Sequence, residues 1–206
     1  MSSLTNIVAR ERHRGVWARP GAAGRALRGA ARRVLAASDA AMKLMRPILE
    51  QHAAERAHAL GPQHPDALAA ENQLALSYLA GDQPDVAVEM FDALAADCAQ
   101  ALGRDHPDTL VVRGNLASAR LAAGQAVPAA AELVGLVADR TRVLGEGHTS
   151  TVNARIGLAM ARLSTGQSES AAAVLEPTLQ RLRMRHGTRH PLTRFCSELL
   201  ADARAA

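Results

Sequence analysis

Four histidines, His64, His106, His148 and His190, follow one another at intervals of 42 residues. Histidine is the commonest metal ligand and the usual proton carrier near neutral pH, so a ladder of them raises metal binding and catalysis first. Metal ligands must converge on one ion, at about 2–2.1 Å each for zinc. If each unit advances a stack by two helices packed at about 8–10 Å, equivalent histidines lie about 20 Å apart and share no ion. His186 and His190 are four residues apart, but the Glu of a zinc-protease helix is missing, and Gly187 and Pro191 break that helix. Cys98 and Cys196 sit at non-equivalent places with no ligand spacing around them, which fits small apolar helix residues rather than a disulfide framework. There is no Gly-rich phosphate loop and no nucleophile elbow. These residues predict no catalytic centre, no metal and no cofactor.

The arginines carry a more specific chemistry. Arg113 and Arg155 share one 42-residue column, and Arg120 and Arg162 share another seven residues on. Seven residues are two helical turns, so each pair lies on one helix face. Such an array could clamp carboxylates or phosphates through paired guanidinium hydrogen bonds. It could equally be a structural ion ladder to Asp97 and Asp139, which recur with the same period.

The elements that must position these side chains are legible in the same period. Leu60-Gly61-Pro62-Gln63-His64-Pro65-Asp66 returns as Leu102-Gly103-Arg104-Asp105-His106-Pro107-Asp108, then as Leu144-Gly145-Glu146-Gly147-His148, with a worn copy at Gly187–Pro191. Leu74, Leu116, Leu158 and Leu200 align, followed by Ala75, Ala117, Ala159 and Ala201. Past short polar breaks at Gly81-Asp82-Gln83-Pro84, Gly124-Gln125-Ala126 and Gly166-Gln167-Ser168, Ala87, Ala129 and Ala171 align, then Phe91, Leu133 and Leu175. Apolar residues recur at three-, four- and seven-residue spacing, the mark of amphipathic helices. Apolar content is 48% but aromatic content only 2%, so the core is built from Ala, Leu and Val, which favours helix over strand. Proline tolerates the first helical position, Asp suits the positive helix end, and the upstream glycine suits a left-handed cap. The period predicts an all-α chain of helix-turn-helix units, each helix about fifteen residues long.

The columns Leu74, Ala75, Tyr78, Ala87 and Phe91 resemble the tetratricopeptide repeat (TPR). The 42-residue period, the L-G-x-x-H-P-D phrase and the amide pair Asn72-Gln73 are similar to the kinesin light chain-type subfamily, which also occurs in actinobacteria. The resemblance implies a right-handed α-solenoid and a non-catalytic scaffold for protein–protein interaction. It implies that first helices line a concave groove, where the amides of Asn72, Gln73, Asn115 and Asn153 hold the backbone of an extended peptide, since an amide both donates and accepts. Leu76, Leu121, Ile156, Met160 and Leu163 could add apolar pockets, or simply pack in the core. The candidate partner-binding set is thus Asn72, Gln73, Leu76, Arg113, Asn115, Arg120, Asn153, Arg155, Met160 and Arg162. Arg113 and Arg155 agree with the subfamily, which favours the ladder; Arg120 and Arg162 replace the Tyr seen at Tyr78.

Along the chain the expected parts are a flexible basic arm at 1–20, a degenerate repeat at 21–59, repeats at 60–101, 102–143 and 144–185, and a capping helix at 186–206. Charge is segregated: residues 1–46 carry nine Arg and one Lys against two acids, residues 47–139 four Arg against thirteen acids, and residues 140–206 ten Arg against five. A basic arm can seek nucleic acid or an anionic surface, or fold onto the acidic repeats of its own chain or of a second copy. The partner expected first is a protein or peptide. A self-associating module, with the arm docked on the repeats of a homodimer, is the second reading. Nucleic acid comes third, since base stacking wants aromatic rings that are scarce here. No apolar run approaches the roughly 18 residues that would span a bilayer. Arg outnumbering Lys 23 to 1 and the heavy Ala use suggest a GC-rich genome and a bacterial cytoplasm.

Overall fold

A computed structural model describes residues 44–205, which form eight helices and no strand. The arm expected at 1–20 and the first part of the degenerate repeat expected at 21–59 lie outside the described residues. The helices are α1 (44–60), α2 (Pro65–Ala80), α3 (Pro84–Leu102), α4 (Pro107–Ala122), α5 (Ala126–Leu144), α6 (Thr149–Ser164), α7 (Ser168–His186) and α8 (Pro191–Ala205). First helices run 16 residues and second helices 19, each slightly longer than the spacing predicts. The chain divides into two compact units between Ala123 and Gly124, in the turn joining α4 to α5. The all-α class and the tandem helix-turn-helix repeats are those the periodicity predicts.

The repeated phrase is a turn assembled from hydrogen bonds. Gly61, Gly103, Gly145 and Gly187 each take φ between 77° and 94°, a left-handed conformation that costs glycine nothing. Its N–H donates back into the ending helix, as Gly103 does to Ala99 O at 3.1 Å. The next helix is then started by histidine: Nδ1 of His64, His106, His148 and His190 accepts the backbone N–H two residues on, at 3.1–3.2 Å. Accepting at Nδ1 places the ring proton on Nε2 and satisfies one of the orphan donors of the first turn. The ladder of histidines is therefore a ladder of helix caps.

A threonine column completes the turn. Thr109 Oγ1 donates to Gly103 O at 2.8 Å, and Thr151 Oγ1 to Gly145 O at 2.9 Å. The same glycine carbonyls also accept from His106 N and His148 N. In the fourth copy Thr193 is buried as well, but its hydroxyl has no hydrogen-bond partner. Within repeats the left-handed position falls at Gly124 and Gly166, and in the first repeat at Asp82 (φ 57°) rather than at Gly81. The break expected at Gly81-Asp82-Gln83-Pro84 separates the helices there, with its left-handed residue at Asp82. Gly81 serves otherwise: it leaves room for Arg46, whose guanidinium lies 4.2 Å over the Tyr78 ring while Tyr78 donates to Glu50 at 2.8 Å.

In the first unit α3 packs against α2 and α4, burying Leu68, Ala75, Leu79, Phe91, Leu94, Val112 and Leu116 in one core. Removing a side chain of this kind from water stabilises the fold by about 1.5–3 kcal/mol. In the second unit α6 packs on α5 and α7, and α7 on α8, over Leu133, Leu136, Leu158, Leu175 and Leu199. Alanine at 75, 87, 117, 129, 159 and 171 is buried throughout, as close backbone approach requires.

Two substitutions test the turn. Thr151→Val is expected to destabilise by about 1 kcal/mol, because it removes a bond to a carbonyl, whereas Thr193→Val, which removes only an orphaned hydroxyl, should be neutral or stabilising in urea unfolding. His106→Ala should cost about 1 kcal/mol, with most of it restored by His106→Asn, since asparagine caps through its side-chain oxygen.

Candidate functional site

The first helices place the candidate amides. In the first unit Asn72 on α2 and Asn115 on α4 meet directly: Asn115 Nδ2 donates to Asn72 Oδ1 at 2.9 Å. Both are half-buried, and Gln73 beside them is exposed. One bond leaves each amide with further donors and an acceptor. Leu76 is half-buried and packs against the unit's core. Arg113 is half-buried on the same helix as Asn115. Arg120, toward the end of that helix, donates to Asp92 on α3 at 2.7 Å.

In the second unit Asn153 is half-buried on α6. Met160 and Ile156 are buried, as is Leu121 in the first unit, so all three are core packing and offer no pocket wall; Leu163 is half-buried. Arg162 Nη1 donates to Ser170 O at 2.9 Å, holding the start of α7. Arg155 Nη1 donates to Glu146 O at 3.3 Å, and its Nη2 lies 3.8 Å from Glu146 Oε1 and 3.5 Å from Thr141 Oγ1. Arg120, Arg155 and Arg162 are thus held within their own units. The ladder was set against Asp97 and Asp139, but Arg120 pairs with Asp92 and Arg155 with Glu146.

Electrostatics differ between the units. In the first, burial and then Asp97 raise the Glu71 carboxyl above its ordinary range. Burial, reinforced by Asp108, Asp97 and Glu71, pushes the Cys98 thiol up to about 11. Cys196 is likewise pushed to about 11 by burial. Both thiols are free, fully packed and protonated at neutral pH, which leaves neither as a nucleophile. In the second unit burial, and then Arg181, lower Arg155 while Glu146 opposes them. His186 and His190 stack with centroids 4.6 Å apart, and among the described residues no group of three or more His, Cys, Asp or Glu is placed to hold a metal. No helix among the described residues is long and apolar enough to cross a membrane.

Sequence reasoning missed the threonine column, although Thr109, Thr151 and Thr193 stand three residues after successive histidines. It also missed Arg181, Arg185 and Glu146, because Arg181 stands in the column of Asp97 and Asp139 with the charge reversed, Arg185 has no recurring counterpart, and both meet the turn only through folding.

No protein-family model matches the chain, and no curated protein matches it. Solved structures do. A protein of Podosopora anserina described as a kinesin light chain with nearly identical TPR-like repeats is 28% identical, with TM-score 0.72 over 84% of this chain and 83% of that one. A single-substitution form of that protein is 27% identical, with TM-score 0.73 over 100% of this chain and 88% of that one. BtubC (BKLC) from P. vanneervenii, 15% identical with TM-score 0.65, shares the fold over 100% of this chain and 92% of that one.

Glu71 yields a pH test. A carboxyl whose folded-state pKa is raised binds more protons folded than unfolded, so its contribution to stability falls as pH rises from its ordinary value of 4.5 toward the raised one. Glu71→Gln is expected to raise Tm at about pH 7 and to lose that advantage near about pH 3.5, where the wild-type carboxyl is protonated in both states.

Proposed function

This chain is a tetratricopeptide-type repeat protein, and we propose that it is a non-catalytic scaffold that holds a peptide or extended segment of a partner protein along its first helices. Repeats of this type generally mediate protein–protein interaction. The observation that carries the reading is the Asn72–Asn115 hydrogen bond, which sets an amide from each of two neighbouring first helices side by side with donors and acceptors to spare. A peptide backbone presents N–H and C=O groups at every residue, so paired amides can grip it without demanding a particular side chain. Gln73 extends the amide surface, and Arg113 adds a cation on the same helix as Asn115. A bacterial cytoplasm is the setting proposed for it.

The test is selection of a displayed random peptide library on the immobilised protein. Peptides retained by the wild type should be held at least about tenfold more weakly by Asn72→Ala/Asn115→Ala, equivalent to about 1.4 kcal/mol, with far-ultraviolet dichroism unchanged. Equal retention by a variant of unchanged helicity would overturn the assignment.

A further inference from the structure

Three guanidinium groups in the second unit converge on the four-residue turn Gly145–His148. Arg181 on α7 pairs with Glu146 Oε2. Arg155 on α6 reaches the other oxygen of that carboxylate at 3.8 Å and the Glu146 carbonyl at 3.3 Å. Arg185, one turn after Arg181, donates to Gly147 O. The turn itself supplies one carboxylate to these three cations. A guanidinium has five N–H donors in a planar fork, and the named bonds use few of them. Arg181 and Arg185 also line a small pocket beside the turn, together with Val152, Leu182 and Leu192.

We infer that Arg181, Arg185 and the pocket they line form a receptor for an acidic side chain of a partner protein, with Glu146, already held by Arg181, as the resident competitor. The chemistry is set by two neighbouring features. Arg181 and Arg185 offer guanidinium forks, which bind carboxylates through parallel charged hydrogen bonds. Val152, Leu182 and Leu192 make much of the remaining lining apolar, which suits the methylene stem of Glu better than a bare inorganic anion. Glu146 demonstrates that the fork accepts a carboxylate, since it already takes one from its own chain. An incoming acidic residue would meet Arg185 directly and share or displace the Glu146 contact at Arg181. The pocket lies in the second unit and depends on nothing at the Asn72–Asn115 pair.

Fluorescence anisotropy of a labelled hexaglutamate peptide with the whole chain tests this. Arg181→Ala/Arg185→Ala is expected to weaken binding about tenfold or more, whereas Arg56→Ala/Arg104→Ala, which removes the same charge from two exposed sites, should change it less than about twofold. Glu146→Gln should tighten binding several-fold, and Glu176→Gln, which removes an equal charge from an exposed pair with Arg204, should not. Matched effects within either pair would reduce the interaction to net charge and overturn the inference. No response to Glu146→Gln would overturn it too, and that variant keeps the test decisive if the double arginine variant fails to fold.

Discussion

A helix of sixteen residues can be followed closely by one of nineteen, and that by another of sixteen, only if the chain reverses within a few residues. That reversal rests on a glycine held at positive φ whose carbonyl is then turned toward the following helix. At Gly103 and Gly145 this carbonyl accepts twice, from the histidine N–H and from the threonine hydroxyl. The bonds tie the end of one repeat to the start of the next, and the histidine ring then satisfies the new helix. Helix direction, the buried alanine columns and the placing of the amides all follow from a turn closed by backbone, threonine and histidine hydrogen bonds.

The fold was largely legible because its rules are local and repeat. A phrase that returns at a fixed interval reveals the turns, and three- and four-residue apolar spacing between turns reveals the helices. Asp82 shows what the period adds: within the break from Gly81 to Pro84, the left-handed residue is the one that aligns with Gly124 and Gly166. The column, not the residue type, held the information. The threonines were hidden for the opposite reason. A buried Thr resembles any small core residue until the carbonyl it meets is known, and Ala67 in the first copy broke the pattern.

The candidate site was legible only in part. The amide columns led to Asn72 and Asn115, and the pair does meet. The arginine columns did not reveal their partners, because a long side chain reaches several turns away and the choice among acids is made in three dimensions. Arg120 passes over the expected periodic partner for Asp92, and Arg155 shares Glu146 with Arg181, which stands in the column of Asp97 and Asp139 with the charge reversed. Met160 illustrates the remaining ambiguity, since an apolar residue on an amphipathic helix can face a groove or a core with the same spacing, and here it faces the core.

The Arg46–Tyr78–Glu50 contact has a consequence for how the protein can be watched. The chain has one Tyr, one Trp at position 17 and Phe only at 91 and 195. The tyrosine band of the near-ultraviolet dichroism therefore reports on the docking of α1 onto α2, where the phenol ring is held under a guanidinium and its hydroxyl on a carboxylate. Tyr78 is the one tyrosine of the sequence, so that band is a native probe of packing at a single helix pair.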